Sequence, residues 1–105
     1  MKITFTLETT KFPTNFLHEL ATITDNAELL SELAKIDNWE VQCAVANNPI
    51  TSPTTLSELA KVKNPVVKSV VARHPNTSTE TLSELAKDED DYVREPAKRN
   101  PNFKK

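Results

Sequence analysis

The six-residue sequence LSELAK occurs three times in this chain, beginning at Leu30, Leu56 and Leu82, so that each copy starts 26 residues after the one before. A fixed period between about 20 and 50 residues is typical of proteins built from stacked units, none of which buries its apolar face alone. The period therefore predicts an array of similar units rather than a single globular core.

Aligned on this period, residues 30–55 and 56–81 form two complete units and residue 82 begins a shorter third one. In LSELAK the two leucines and the alanine lie at i, i+3 and i+4, which is one face of a helix. A second helix is predicted by two further apolar columns: Val41/Val67/Val93 and Val45/Val71/Ala97. This helix must end before Pro49, Pro75 and Pro101, because proline disfavours the α conformation of the residue before it.

Polar residues suited to cap these helices recur in the same register. N-caps are predicted before the first helices at Asn26, Ser52 and Ser78, and before the second helices at Asn38, Asn64 and Asp90. The chain contains no glycine, the residue that most often takes the left-handed conformation after a helix. Asparagine tolerates that conformation, and we expect it to replace glycine at the helix ends. The candidates are Asn47, Asn48, Asn100 and Asn102.

These columns resemble the variant leucine-rich repeat, whose pattern is roughly LxxLAxDxxxxVRxxVAxNPxTP. The resemblance is carried by LSELAK with AVANNPITSP in the first unit and by LSELAK with VVKSVVARHPNTS in the second, and it covers about residues 26–101. It implies an all-α fold similar to HEAT-type solenoids. The implied architecture is a right-handed α-solenoid of about three two-helix repeats with a short or 3₁₀-like second helix, and it supplies no catalytic residues.

We interpret the chain as one domain with a cap at each end of the repeats. Residues 13–25 contain LHELA, which imitates LSELA, and are predicted to form an N-terminal capping helix; residues 102–105 form a basic tail. Pro96 falls inside the last second helix, which we expect to be kinked or short. Residues 1–12 begin with a stretch, 1–8, that alternates apolar and polar side chains. They are open to three interpretations: a flexible tail, an apolar flap over the first repeat, or a strand that pairs with another copy.

Residues able to perform catalysis or hold a metal are few and scattered. His18 and His74 belong to different elements, and Cys43 is the single cysteine, without a Cys-x-x-Cys motif. The acidic run 88–91 lacks the spacing of a calcium loop and suits the positive end of a helix dipole. We therefore predict a protein that is not an enzyme and that has no cofactor and no metal site.

Composition favours a chain that does not cross a membrane. The net charge is −2, and no apolar run approaches the roughly 20 residues of a membrane span. The N-terminal sequence does not resemble a signal peptide, and a single cysteine leaves no disulfide framework within the chain. We expect a cytoplasmic protein.

Basic and polar residues recur in two columns of the second helices, which line the concave side in related solenoids. With Trp39, these columns supply the candidate contact residues: Trp39, Gln42, Lys68, Arg73, Arg94 and Arg99. We predict a non-catalytic protein-interaction module with a protein partner. Three alternatives stay open: a nucleic-acid binder that uses the Lys/Arg ladder, a self-assembling element that dimerises through the N-terminal strand or open solenoid ends, and a charged face that only contacts water.

Overall fold

The computed structural model describes residues 13–104, and this part of the chain is folded into α-helices without a β-strand. The all-α prediction is confirmed for these residues, whereas the alternatives for residues 1–12 lie outside the described part. The helices between Pro13 and Lys104 are α1 (Thr14–Ile23), α2 (Ala27–Leu33), α3 (Trp39–Asn47), α4 (Pro53–Leu59), α5 (Pro65–Arg73), α6 (Thr79–Leu85) and α7 (Asp91–Arg99).

The helices form pairs that follow the sequence period. In each pair a first helix of seven residues (α2, α4, α6) packs against a second helix of nine residues (α3, α5, α7). The second helices also pack on one another, α3 against α5 and α5 against α7. Of the expected short or 3₁₀-like second helix, only the 3₁₀ alternative is wrong: the second helices are short, with nine residues each, but they are α-helical.

Pro96 does not shorten the last second helix, so this half of the expectation of a kinked or short helix is wrong. Helix α7 has nine residues, as α3 and α5 do, and includes Pro96 in its interior. The missing N–H of Pro96 removes the single bond that would reach the carbonyl of Tyr92. Bonding resumes downstream, where the N–H of Asn100 donates to the carbonyls of Pro96 and Ala97 at 3.1 and 3.3 Å.

Helix α1 lies at the position of a second helix, although its sequence LHELA imitates the first-helix sequence LSELA. It packs against α3 in the way that α3 packs against α5. Its buried residues Leu17 and Ala21 have the same i, i+4 spacing as Val41 and Val45 of α3. An apolar i, i+4 pair fits either kind of helix, so the motif alone did not distinguish the two positions.

The core is a continuous layer between the first and second helices. It is made of the apolar columns that recur with the sequence period, and each of these side chains has at most 2% of its surface exposed. The layer comprises Leu30, Leu33, Val41 and Val45, then Leu56, Leu59, Val67 and Val71, then Leu82, Leu85, Val93 and Ala97. Each buried leucine or valine stabilises the fold by roughly 1.5–3 kcal/mol relative to an exposed one.

Side chains cap the N-termini of all six helices from α2 to α7, at the residues predicted from sequence. Asn26, Ser52 and Ser78 accept hydrogen bonds from first-turn N–H groups of the first helices, and Asn38, Asn64 and Asp90 do so for the second helices. These bonds satisfy donors that would otherwise lack partners inside the helix.

The C-termini end differently from the prediction. Asn48 and Asn100 lie at C-caps, but their backbones are extended, with φ of −72° and −65° and ψ of 127° and 132°. No residue of the described range has a positive φ. The expected left-handed asparagines are therefore absent from residues 13–104, and this range has no position that requires glycine.

Asn64 offers a test of the capping pattern. Its Oδ1 accepts from the N–H groups of Val66 and Val67 at 2.8 and 3.4 Å. We expect Asn64→Ala to lower the free energy of unfolding by about 1 kcal/mol, because both donors lose their partner. The neighbouring exposed Lys63→Ala is the control, and urea denaturation followed by circular dichroism is the measurement. Equal stability of the two variants would contradict the capping role.

Candidate binding surface

Three side chains at the C-caps of the second helices tie each of these helices to the one before it. Asn48 donates through Nδ2 to the carbonyls of Ala21 and Thr24, at 2.9 Å each. His74 contacts the carbonyl of Asn48 through Nε2 at 2.8 Å, and Asn100 donates through Nδ2 to the carbonyl of His74 at 2.9 Å. All three side chains are buried, so this C-cap ladder is a structural element rather than a binding surface.

A second set of bonds joins successive loops beside the C-cap ladder. Asn76 and Asn102 occupy equivalent positions, two residues after His74 and Asn100. Their Nδ2 groups donate to loop carbonyls of the preceding unit: Asn76 to Pro49 and Thr51, and Asn102 to Pro75 and Thr77. Each loop is thus bonded to the equivalent loop of the preceding unit.

Both ring nitrogens of His74 are engaged. Nδ1 accepts from the backbone N–H of Asn76 at 2.9 Å, so the ring hydrogen lies on Nε2, which donates to Asn48. This neutral tautomer leaves no lone pair for a metal ion or for proton abstraction. Within residues 13–104 no three His, Cys, Asp or Glu side chains are grouped so that they could hold a metal ion.

Cys43 is partly buried on α3. Burial raises the pKa of its thiol, and the nearby Glu40 carboxylate raises it further. Because the thiolate is the reactive form, these surroundings disfavour a nucleophilic role.

The column of Gln42, Lys68 and Arg94 was predicted to contact a partner, but its members have partners inside the chain. Gln42 donates through Nε2 to the carbonyl of Ile36 at 3.1 Å, and Arg94 donates through Nη1 to the carbonyl of Asp88 at 2.8 Å. Both acceptors lie six residues earlier, in the turn between first and second helix. These two side chains therefore brace that turn.

Lys68 makes an ion pair between adjacent units. Its Nζ lies 2.7 Å from Oδ2 of Asp88, and the two side chains are only 19% and 13% exposed. The hydrogen bond from Lys68 lowers the pKa of Asp88 from its ordinary value of 3.8, and a backbone hydrogen bond from Asp90 lowers it further. Arg94 also forms an ion pair with Asp91, which reduces the charge that Lys68 and Arg94 offer to a ligand.

Residues on the outward side of α5 and α7 are available for contact. We define the second-helix face as Val66, Val70 and Arg73 of α5 with Tyr92, Pro96 and Arg99 of α7. Within each helix these residues lie at i, i+4 and i+7, on one face. Val66 and Tyr92 are 38% and 50% exposed, and Arg73 and Arg99 are also exposed.

Arg73 is held along this face by an aromatic ring. The carbon at the centre of its guanidinium group lies 5.6 Å from the centroid of the Tyr92 ring, within the range of a cation–π contact. This contact joins α5 to α7 across the surface. It also limits the rotamers of Arg73 without consuming its hydrogen-bond donors.

A groove of about 220 Å³ lies between the C-terminal halves of α3 and α5. Its walls are mainly apolar, with Asn47, Arg73 and the internally bonded His74 as polar residues. The lining residues are Ala46, Asn47, Pro49, Val70, Arg73, His74 and Pro75. Val70 and Arg73 thus belong to both the groove and the second-helix face.

The predicted contact residues fall into two groups in the structure. Gln42, Lys68 and Arg94 are used internally, whereas Trp39, Arg73 and Arg99 are exposed. Trp39 is half exposed at the first position of α3. Sequence reasoning missed the apolar part of the surface, Val66, Val70 and Tyr92. The sequence signal for this surface was the column Glu40/Val66/Tyr92, in which valine and tyrosine take the position of the charged Glu40 in the later units.

Comparison of the sequence with protein-family models finds no match, and searches of curated proteins and of solved structures find no significant similarity either. The resemblance to variant leucine-rich repeats therefore stays a prediction. In the part of the chain from Pro13 to Lys104, none of the helices combines the length and the apolar character that crossing a membrane requires.

The C-cap ladder predicts different outcomes for two substitutions of His74. His74→Asn introduces the residue type found at the equivalent positions, Asn48 and Asn100. The free energy of unfolding should stay within about 1 kcal/mol of wild type, which is roughly the contribution of one neutral hydrogen bond. His74→Leu leaves the Asn76 N–H without its partner and leaves the Asn48 carbonyl with only the N–H of Thr51, and should cost about 1–3 kcal/mol. Thermal and urea unfolding measure both effects. The exposed His18→Leu is the control, and equal losses in the asparagine and leucine variants would contradict the ladder.

The Lys68–Asp88 pair predicts a loss of stability in acid. We expect Asp88→Asn to lower the free energy of unfolding at pH 7 by about 1.5–3 kcal/mol, the range for hydrogen bonds to charged groups. Because the pKa of Asp88 is lowered on folding, its carboxylate stabilises the native state above the ordinary value of 3.8, and this contribution is lost as the pH falls through the native pKa.

Urea denaturation at several pH values measures this dependence. The difference between wild type and Asp88→Asn should be constant from pH 7 to 5 and should shrink below about pH 4. Asp37→Asn is a matched control on an exposed carboxylate. A difference that stays constant down to pH 3 would contradict the assignment.

Proposed function

We propose that this chain is a non-catalytic protein-interaction module of the variant leucine-rich-repeat type, built as a right-handed α-solenoid of about three two-helix repeats. The bonds between units support the repeat architecture. The His74–Asn48 and Asn100–His74 bonds each span 26 residues, the sequence period. The extents of 45 × 26 × 18 Å agree with helix pairs added along one direction.

The observation that carries the interaction role is the second-helix face. Val66 and Tyr92 expose apolar surface beside the guanidinium groups of Arg73 and Arg99, although the equivalent position in α3 is the polar Glu40. Aromatic residues and arginine are enriched in protein interfaces and at their energetic hot spots. Exposed apolar residues that lie together beside charged groups are a common feature of interaction surfaces.

A catalytic role has little support among the described residues. His74 uses both ring nitrogens in hydrogen bonds, and burial and Glu40 raise the pKa of the Cys43 thiol. The groove contains one histidine, and that side chain is the one already bonded to two backbone groups. These observations favour binding without chemical change.

A protein partner explains the surface better than nucleic acid does. Binding to phosphates gains affinity from several lysine or arginine contacts, each of which releases counterions. In the predicted ladder, Lys68 and Arg94 are paired with Asp88 and Asp91, which leaves Arg73 and Arg99. Apolar Val66 and Val70 beside these arginines match a protein surface instead.

The proposed function is tested by two variants with identical charge changes on different faces. Arg73→Glu combined with Arg99→Glu alters the second-helix face. Lys61→Glu combined with Lys87→Glu alters exposed residues that follow the first helices. Affinity capture from a lysate of the native host, read by quantitative mass spectrometry, should lose its specific partner at least tenfold in the first variant only.

Two outcomes would count against this proposal. Equal capture by both variants would show that the second-helix face is not the contact surface. Retention on heparin or DNA that weakens steeply with salt and is lost in the arginine variant would favour the nucleic-acid alternative.

A further inference from the structure

We propose that the groove between α3 and α5 binds a partner segment in which an aliphatic side chain stands next to a carboxylate. The aliphatic side chain occupies the groove, and the carboxylate binds Arg73 at its rim. This inference rests on the proposed function and names the chemistry of the partner.

The size and lining of the groove match an amino-acid side chain. Its volume of about 220 Å³ is below the roughly 300–1,000 Å³ of pockets that hold small-molecule ligands. Ala46, Pro49, Val70 and Pro75 give it apolar walls. A leucine, isoleucine or valine of a partner would remove these walls from water, which is favourable by roughly 25 cal/mol for each Å² buried.

Arg73 gives the site its preference for negative charge. Lys68 and Arg94 each lie against an aspartate, but no carboxylate of residues 13–104 is within ion-pair distance of Arg73. Its guanidinium group is instead positioned over Tyr92, 5.6 Å from the ring centroid. An oriented guanidinium fork matches the two oxygens of a carboxylate, and less side-chain entropy is lost when it is already held in place.

The second polar group of the groove agrees with a peptide. Asn47 is exposed and lines the groove on the α3 side, opposite Val70 and Arg73 on α5. Its amide can donate to one peptide carbonyl and accept from one peptide N–H. Nucleic acid fits less well, because the ring of Tyr92 that would stack on a base is already in contact with Arg73.

Three short serine–glycine peptides test this inference, and they differ only at their centre: Leu-Glu-Leu, Leu-Lys-Leu or Ser-Glu-Ser. Each is titrated into the ¹⁵N-labelled full chain, and backbone amide shifts are recorded. Leu-Glu-Leu should shift the amides of Asn47, Val70 and Arg73. The other two peptides should bind at least tenfold more weakly, since each lacks one of the two required groups.

The variant Arg73→Glu reverses the charge at the rim of the groove. This variant should lose Leu-Glu-Leu binding at least tenfold and should bind Leu-Lys-Leu more tightly than wild type does. Lys61→Glu, the same change of charge away from the groove, should bind all three peptides as wild type does. Unfolding curves of the variants establish that a loss of binding is not a loss of fold.

The outcomes separate this inference from the proposed function. Leu-Glu-Leu binding that is unchanged in Arg73→Glu, or shifts confined to the first helices, would overturn the groove assignment. If no peptide shifts the groove while lysate capture still depends on Arg73 and Arg99, the partner chemistry is wrong and the interaction role stands. A single-stranded oligonucleotide that shifts the groove amides at tenfold lower concentration than Leu-Glu-Leu would replace the peptide by nucleic acid.

Discussion

Carbonyl groups at the end of a helix have no donor within that helix, and here the following unit supplies one. Asn48, His74 and Asn100 each reach back to the end of the preceding second helix. Because an unpaired carbonyl inside a protein is costly, the bonds to the carbonyls of Ala21 and Ala72 favour one position of each unit on the last one. The apolar layer provides most of the driving force for stacking, but it is non-directional, and the side-chain bonds determine the register.

Sequence reasoning was most accurate where a single residue type has a single local role. The N-caps Ser52 and Asn64 and the buried columns such as Leu56 needed only the period and the preferences of helix termini. It failed where a residue acts through a distant unit. Asn48 and Asn100 were assigned to helix ends for their backbone tolerance, whereas the structure uses their side-chain amides across 24 to 28 residues. A pattern of neighbouring residues does not reveal contacts between residues that far apart in the sequence.

The candidate surface could be predicted only in part, because it also depends on contacts between units. Lys68 and Arg73 are both basic residues of α5, and the sequence offers no rule that separates them. Their neighbours in the structure distinguish them, since Lys68 forms an ion pair with Asp88 of the next unit whereas Arg73 contacts the ring of Tyr92. An acidic neighbour neutralises a cation, and an aromatic neighbour orients it. The binding surface therefore depends on which side chains stacking brings together, as well as on residue type.

The backbone without left-handed positions has a consequence for the unfolded chain. Because none of residues 13–104 needs a positive φ, a sequence without glycine fits this backbone, and six of its seven prolines lie outside helix interiors, with Pro96 as the exception. Proline and the absence of glycine both restrict the conformations of a denatured chain, and one compatible substitution of this kind is worth about 0.4–1 kcal/mol. Folding thus begins from an ensemble of lower entropy, which helps a thin apolar layer to hold the repeats together.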